Sequence, residues 1–170
     1  MADRFTIRSE KKADIDRITQ IVEAAFKDHP YGNAKEQLLV SELRDDNALS
    51  ISLVAEIDEN IVGHIAFSRI TIDGAFDSWY GLAPVSVDPE FQNRGIGSEL
   101  IEHGLTELRN IGAKGCVLVG EPTYYKRFGF KQQPKLVYEG VPKEYFLVQS
   151  FNKEVPEGQV KYHPFFNKYG

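Results

Sequence analysis

The chain has 170 residues, 42% of them hydrophobic and 26% charged, and its 25 acids outnumber 20 bases for a formal net charge of −5. An acidic balance spread along the whole length excludes a general nucleic-acid-binding surface and a polybasic membrane stripe. It predicts one globular domain over residues 1–170, long enough to bury a hydrophobic core. The lone cysteine, Cys116, allows no internal disulfide and no thiol cluster for a metal. It lies in an apolar run, where a small buried residue is the expected role. Met1 to Phe5 carries no charged-then-apolar signal pattern and no stretch reaches membrane-span length, so a cytoplasmic protein is expected.

Phe5-Thr6-Ile7-Arg8 alternates as a short strand does. Asp14 opens a helix carrying Ile15, Ile18, Val22 and Phe26, which ends before Pro30. A second helix is predicted from Ala34 to Asp45 on Leu38, Leu39 and Leu43, with Asp28 to Asn33 as the loop between them. Two strand-like runs follow, Ile51 to Ile57 and Ile61 to Ile72, joined by Asp58-Glu59-Asn60 in an antiparallel hairpin. Asp73-Gly74 marks a turn before the strand from Trp79 to Val87. Pro84 falls inside that strand and cannot donate a ladder hydrogen bond, so a bulge is expected there.

After Asp88-Pro89-Glu90 the pattern turns helical. Ile96, Leu100, Ile101, Leu105 and Leu108 make one face that ends near Gly112. Cys116 to Val119 reads as a buried strand. Pro122 suits the start of a short helix that must finish by Gly129. Further strands are expected near Tyr145 to Phe151 and Val160 to Tyr162. This order predicts an α/β (α+β) fold, a mixed sheet with helices on both faces.

The junction Val85-Ser86-Val87-Asp88-Pro89-Glu90-Phe91-Gln92-Asn93-Arg94-Gly95-Ile96-Gly97 carries the chemistry. A strand enters a turn with two glycines, and a long amphipathic helix follows at once. Unpaired N–H groups and a partial positive charge at a helix N-terminus suit a pyrophosphate. Gly95 and Gly97 let the backbone approach phosphate oxygens, and Arg94 adds a cation. A Walker loop needs a Gly-Lys-Ser/Thr ending that is absent here. A dinucleotide fingerprint needs a glycine where Leu100 stands.

Gln92-Asn93-Arg94-Gly95-Ile96-Gly97 resembles, at every defined position, the Gln/Arg-x-x-Gly-x-Gly/Ala signature of the GNAT superfamily of N-acetyltransferases. Leu82 to Pro89 is similar to that family's fourth strand and turn. Tyr124-Tyr125-Lys126-Arg127-Phe128-Gly129-Phe130 is similar to its Tyr-x-x-x-Gly-Phe element. The doubled tyrosine and the tail Tyr162-His163-Pro164-Phe165-Phe166 further resemble a bacterial branch of predicted small-molecule or protein N-acetyltransferases.

The resemblance implies a mostly antiparallel sheet splayed between its fourth and fifth strands, with acetyl-CoA (coenzyme A) as cosubstrate and no metal. The pantetheine arm would pair with the backbone of Val85, Ser86 and Val87. The pyrophosphate would rest on amides of Gln92, Asn93, Arg94, Gly95, Ile96, Gly97 and Ser98. Tyr125 would donate its hydroxyl to the departing sulfur, while Tyr124, its helical neighbour, points elsewhere. For the general base His64, Asp77 and Glu121 stand open, with Glu121 preferred and His64 read first as a hydrogen-bonded strand residue. Pro122 and Thr123 stand where the family often has an asparagine.

The acceptor, a primary amine of a small molecule, peptide or protein, would meet a wall from the Asp28–Asn33 loop, the Asp73–Ser78 turn and the C-terminal strands. Trp79, Tyr80, Tyr138 and Phe146 are aromatic candidates there, most of them expected in the core. Neither nucleic acid nor membrane is an expected partner, and a homodimer is common in the family. The alternative is a catalytically silent acyl-CoA-binding or sensing module.

Overall fold

The structure is a computed structural model that describes residues 4–27 and 35–169. The Asp28–Asn33 loop lies outside the described residues. Chain order gives β1 (Thr6–Ser9), α1 (Ile15–Phe26), α2 (Glu36–Asp45), β2 (Ile51–Ile57), β3 (Asn60–Arg69) and β4 (Thr71–Ile72). There follow β5 (Trp79–Val87), α3 (Ile96–Asn110), β6 (Gly115–Val119), α4 (Pro122–Tyr125), β7 (Leu136–Val137), β8 (Phe146–Ser150), β9 (Gly158–Lys161) and α5 (Phe165–Tyr169).

Six strands form the main sheet in the order β1-β2-β3-β5-β6-β8. Only β5 and β6 run parallel within it. A parallel pair needs a crossover, and α3 supplies it. α3 buries Ile96, Leu100, Ile101, Leu105 and Leu108 against one face of the sheet, as its sequence periodicity requires. The opposite face receives α1 through Ile18, Ile21 and Val22, with Val40 of α2 beside them. On α2 the inward residues are Leu39, Val40 and Leu43, whereas Leu38 is left 45% exposed. A helical face is set by angle as well as by hydrophobicity, and Leu38 lies outside the buried arc.

The β2–β3 hairpin closes on two residues, not three. Ile57 pairs with Asn60 across the sheet, and Asp58 and Glu59 both adopt positive φ, at 47° and 68°. Positive φ at both central positions is the tight-turn geometry that follows the twist of the flanking strands. The run Ile61–Ile72 is also broken. β3 ends at Arg69, and Thr71–Ile72 leaves the main sheet to pair with β9. A small second sheet, β4-β9-β7, results. It covers Trp79, Val117 and Val148 with Ile70, Ile72, Leu136 and Val160. β9 falls on the strand expected near Val160 to Tyr162, whereas the separate β4, β7 and α5 are additions to the element order read from the sequence.

Candidate active site

Pro84 distorts β5 as its chemistry requires. Ile65 pairs with Val85 and Phe67 with Leu82, so the β5 side carries one extra residue, a bulge spanning Ala83 and Pro84. Already two residues before this bulge β5 stops pairing with β6. Register between them covers Trp79–Gly115, Tyr80–Cys116 and Gly81–Val117, and goes no further. β6 continues through Leu118 and Val119 paired to β8 alone. The sheet is therefore splayed between its fourth and fifth strands.

Alternation determines what the splay exposes. The Asp88 N–H donates to the Val62 carbonyl at 2.8 Å, which makes Val87–Gly63 a non-hydrogen-bonded pair and Ser86–His64 a hydrogen-bonded one. Val85 and Val87 thus turn their peptide groups away from β3 and into the gap. Ser86 does the reverse: its backbone faces β3, and its Oγ is buried with no partner among the described residues. The structure brings Val85 and Val87 to the edge and leaves Ser86 behind it. One acceptor on that edge is occupied, because Gln92 Nε2 donates to the Val87 carbonyl at 3.1 Å.

The turn after β5 is braced by charge. Asp88 accepts from the Glu90 N–H at 3.0 Å through one oxygen and from Arg17 of α1 at 2.7 Å through the other. Arg17 also donates to the Ile61 carbonyl at 3.1 Å, which ties the turn to β3. Asn93 and Gly95 take left-handed conformations, at φ 66° and 82°. A Cβ on Gly95 would find no atom within 4 Å, so the backbone there stands open. Helical bonding begins with the Glu99 N–H on the Gly95 carbonyl at 3.1 Å. The amides of Ile96, Gly97 and Ser98 precede that ladder, and Gly95 at the N-cap has no side chain to cap the helix. Arg94 lies over the Phe91 ring at 5.1 Å and reaches the Glu90 carbonyl at 3.4 Å.

α4 sits at the mouth of the splay. Its two tyrosine rings meet edge to face, with centroids 4.9 Å and planes 89° apart. Tyr125 turns inward against Gly120, Phe128 and Phe130. Burial first, and then the neighbouring Tyr124, push its phenol up to about 12, so the hydroxyl stays protonated at neutral pH. Tyr124 turns to the helix start, where its hydroxyl comes within 3.6 Å of the position a Gly97 Cβ would take. The expectation that Tyr124 points away from Tyr125 holds for its hydroxyl, which reaches the helix start, whereas the two rings stay in contact. The signal for Tyr124 is the first residue of a tyrosine pair opposite a glycine at a helix start.

Of the three base candidates, His64 and Asp77 are removed from the splay. Asp77 pairs with Lys114 at 2.6 Å, beside the far end of the β5–β6 pair. His64 is fully buried between strands. Arg44 grips Glu10 with two bonds, of 2.8 and 2.9 Å, and Ser52 donates its hydroxyl to Glu10. Because that proton is committed, the 2.8 Å contact between Ser52 and His64 requires Nε2 to donate. Burial pushes the imidazole down to about 4, which keeps it neutral. Glu121 lies exposed at the β6–α4 junction and accepts from the Thr123 N–H at 3.5 Å. Cys116 is fully buried, and burial raises its thiol far above the ordinary range. Trp79, Tyr80 and Phe146 are core residues, whereas Tyr138 is half-buried against Phe146 and Tyr162.

A sheet splayed beside a glycine turn and an uncapped helix defines an acyltransferase fold, and the comparisons agree. Residues 6–132 match the family described as the Acetyltransferase (GNAT) domain. The chain belongs to that family. It is similar to a GNAT family acetyltransferase of Brucella melitensis, solved in complex with acetyl-CoA, at 47% identity and TM-score 0.86 over 96% of this chain and 98% of that one. A second similar structure is the Escherichia coli N-acetyltransferase YhbS in complex with CoA, at 31% identity and TM-score 0.91 over 100% and 96%. YjhQ of Escherichia coli K12, an uncharacterised N-acetyltransferase, is 37% identical over 145 residues, 83% of this chain and 76% of its own. Among the described residues no group of three or more metal-ligating side chains converges, and no helix is long and apolar enough to cross a membrane.

Proposed function

We propose that the protein transfers the acetyl group of acetyl-CoA to a primary amine by direct attack within a ternary complex. The observation that carries this reading is the free backbone edge of Val85 and Val87, opening beside the uncapped start of α3. Such an edge accepts an amide-bearing arm as a short additional strand. The amides of Ile96, Gly97 and Ser98, with Gln92, Asn93, Arg94 and Gly95 in the approach, hold the pyrophosphate. Tyr124 adds a hydroxyl at that start.

Tyr125 donates to the sulfur as the carbon–sulfur bond breaks, and its raised pKa keeps it a donor there. Glu121, at the acceptor side of the mouth, takes the amine proton through water. The amine belongs to a small molecule, peptide or protein that enters from the face opposite α3. Thermal unfolding with ligand tests the donor. Acetyl-CoA at about 100 times its dissociation constant is expected to stabilise the fold by roughly 2.7 kcal/mol. A shift with ATP and none with acetyl-CoA would end this reading. A thiol-release screen over amines, peptides and polyamines then separates an enzyme from a silent binder.

A further inference from the structure

The apex of the splay is closed by a residue from the far end of the chain. β9 stops at Lys161, and Tyr162 lies over the sheet directly after it. Its ring rests on Gly81, where a Cβ would meet Cε2 at 2.5 Å and Cζ at 2.9 Å. Its hydroxyl donates to the Val117 carbonyl at 3.4 Å. Gly81 and Val117 are the last residues paired before β5 and β6 part. One side chain therefore touches both strands at their point of divergence, and Gly81 is small because that ring occupies its face.

Neighbouring rings hold Tyr162 in place, with Tyr138 at 5.2 Å and Phe166 at 4.9 Å between centroids. It packs with Trp79 and Val117, whereas the alternate residues Tyr80, Leu82, Cys116 and Leu118 pack toward α3. Tyr125 belongs to the α3-side cluster. The two tyrosines thus approach the splay from opposite faces. Fixed at ring and hydroxyl, Tyr162 yields little room to anything that enters the wedge.

We propose that Tyr162 is the stop of the acyl pocket, its ring restricting the transferred group to acetyl and turning longer chains away. This rests on the donor reading above, which brings the thioester end of the pantetheine arm to the apex. Each added methylene would have to displace the ring from Gly81 and its hydroxyl from Val117. Size discrimination of this kind amounts to about 10- to 200-fold per methylene in a closed apolar pocket.

Calorimetric titration of the full chain with CoA, acetyl-CoA and butyryl-CoA tests it. Butyryl carries two more methylenes, so the unaltered protein is expected to bind acetyl-CoA at least about 100-fold more tightly than butyryl-CoA. Tyr162→Ala should bind the two with similar affinity and keep its affinity for CoA. Tyr162→Phe, which retains the ring, should keep the acetyl preference. Tyr162→Leu serves where the alanine variant does not fold, and the chain-length profile of the unaltered protein needs no variant at all. Equal binding of acetyl- and butyryl-CoA by the unaltered protein would overturn the proposal. So would a Tyr162→Ala or Tyr162→Leu protein that weakens toward all three ligands in parallel, as a residue that merely props the sheet would. If CoA itself does not bind, the donor reading falls and Tyr162's assignment goes with it; if CoA binds and the preference is unmoved, Tyr162 alone is ruled out.

Discussion

The two halves of β5, Trp79 to Gly81 and Leu82 to Val87, belong to one strand and have opposite fates. From Trp79 to Gly81 the strand is paired on both edges, with β3 and with β6, and is buried. From Leu82 to Val87 it keeps β3 and loses β6. The closed half fixes where the wedge begins, and the open half provides a backbone edge that β6 does not pair. The extra residue at Ala83–Pro84 lies just inside the open half. The lesson is that a site can be made by withdrawing a neighbour from a strand, with no exotic side chain on it.

The largest expected effect lies at the mouth of the open half. Tyr125→Phe should lower turnover on a genuine substrate by roughly 10- to 1000-fold while sparing CoA affinity, as steady-state kinetics beside calorimetry would show. Unchanged turnover would remove Tyr125 from the chemistry. Next comes the brace beneath the open half, where His64 pairs across strands with Ser86. With Glu10, Ser52 and Arg44 around it, burial holds the imidazole near 4, below its ordinary 6.5. As pH falls below 6.5 the unfolded chain takes up a proton that the folded one refuses. Stability is therefore present above that value and declines toward pH 4, by about 3 kcal/mol in all. Urea melts across that window should show this slope, and His64→Gln should flatten it.

The closed half is tested by overfilling it. A Cβ on Gly115 would meet the Trp79 ring at 2.4 Å and the Gln149 carbonyl at 2.6 Å. Gly115→Ala should cost about 1–3 kcal/mol of stability in denaturant melts. A neutral result would mean that the closed half yields far more than its packing implies. Smallest is Tyr124→Phe. Losing one hydroxyl at the helix start should weaken CoA binding roughly 2- to 10-fold and leave stability unchanged.

Much of this was legible in the sequence because local chemistry writes it there. Helical periodicity located α1 and α3, and Pro84 announced its own bulge. Two glycines before an amphipathic run marked the uncapped helix. What escaped depended on distant partners. A strand is expected near Val160 to Tyr162, but its pairing with Thr71–Ile72 joins residues far apart in the chain and carries no local signal. Tyr162 read only as part of an aromatic tail, because its place over Gly81 is set by the second sheet. His64 was rightly read as a bonded strand residue, yet nothing local tied it to Glu10 and Arg44. Ser86 was included with its neighbours Val85 and Val87, and strand alternation turned its backbone the other way.

Gln92 has one more consequence. A strand with an unsatisfied edge inside a sheet is an invitation to any extended peptide, and proteins guard such edges against clumping. Here the guard is short range. Pro84 has no N–H to offer at one end of the exposed stretch, and the Gln92 amide occupies the Val87 carbonyl at the other. What stays open is too brief to hold a foreign strand in register, so the sheet resists self-association while its gap remains available.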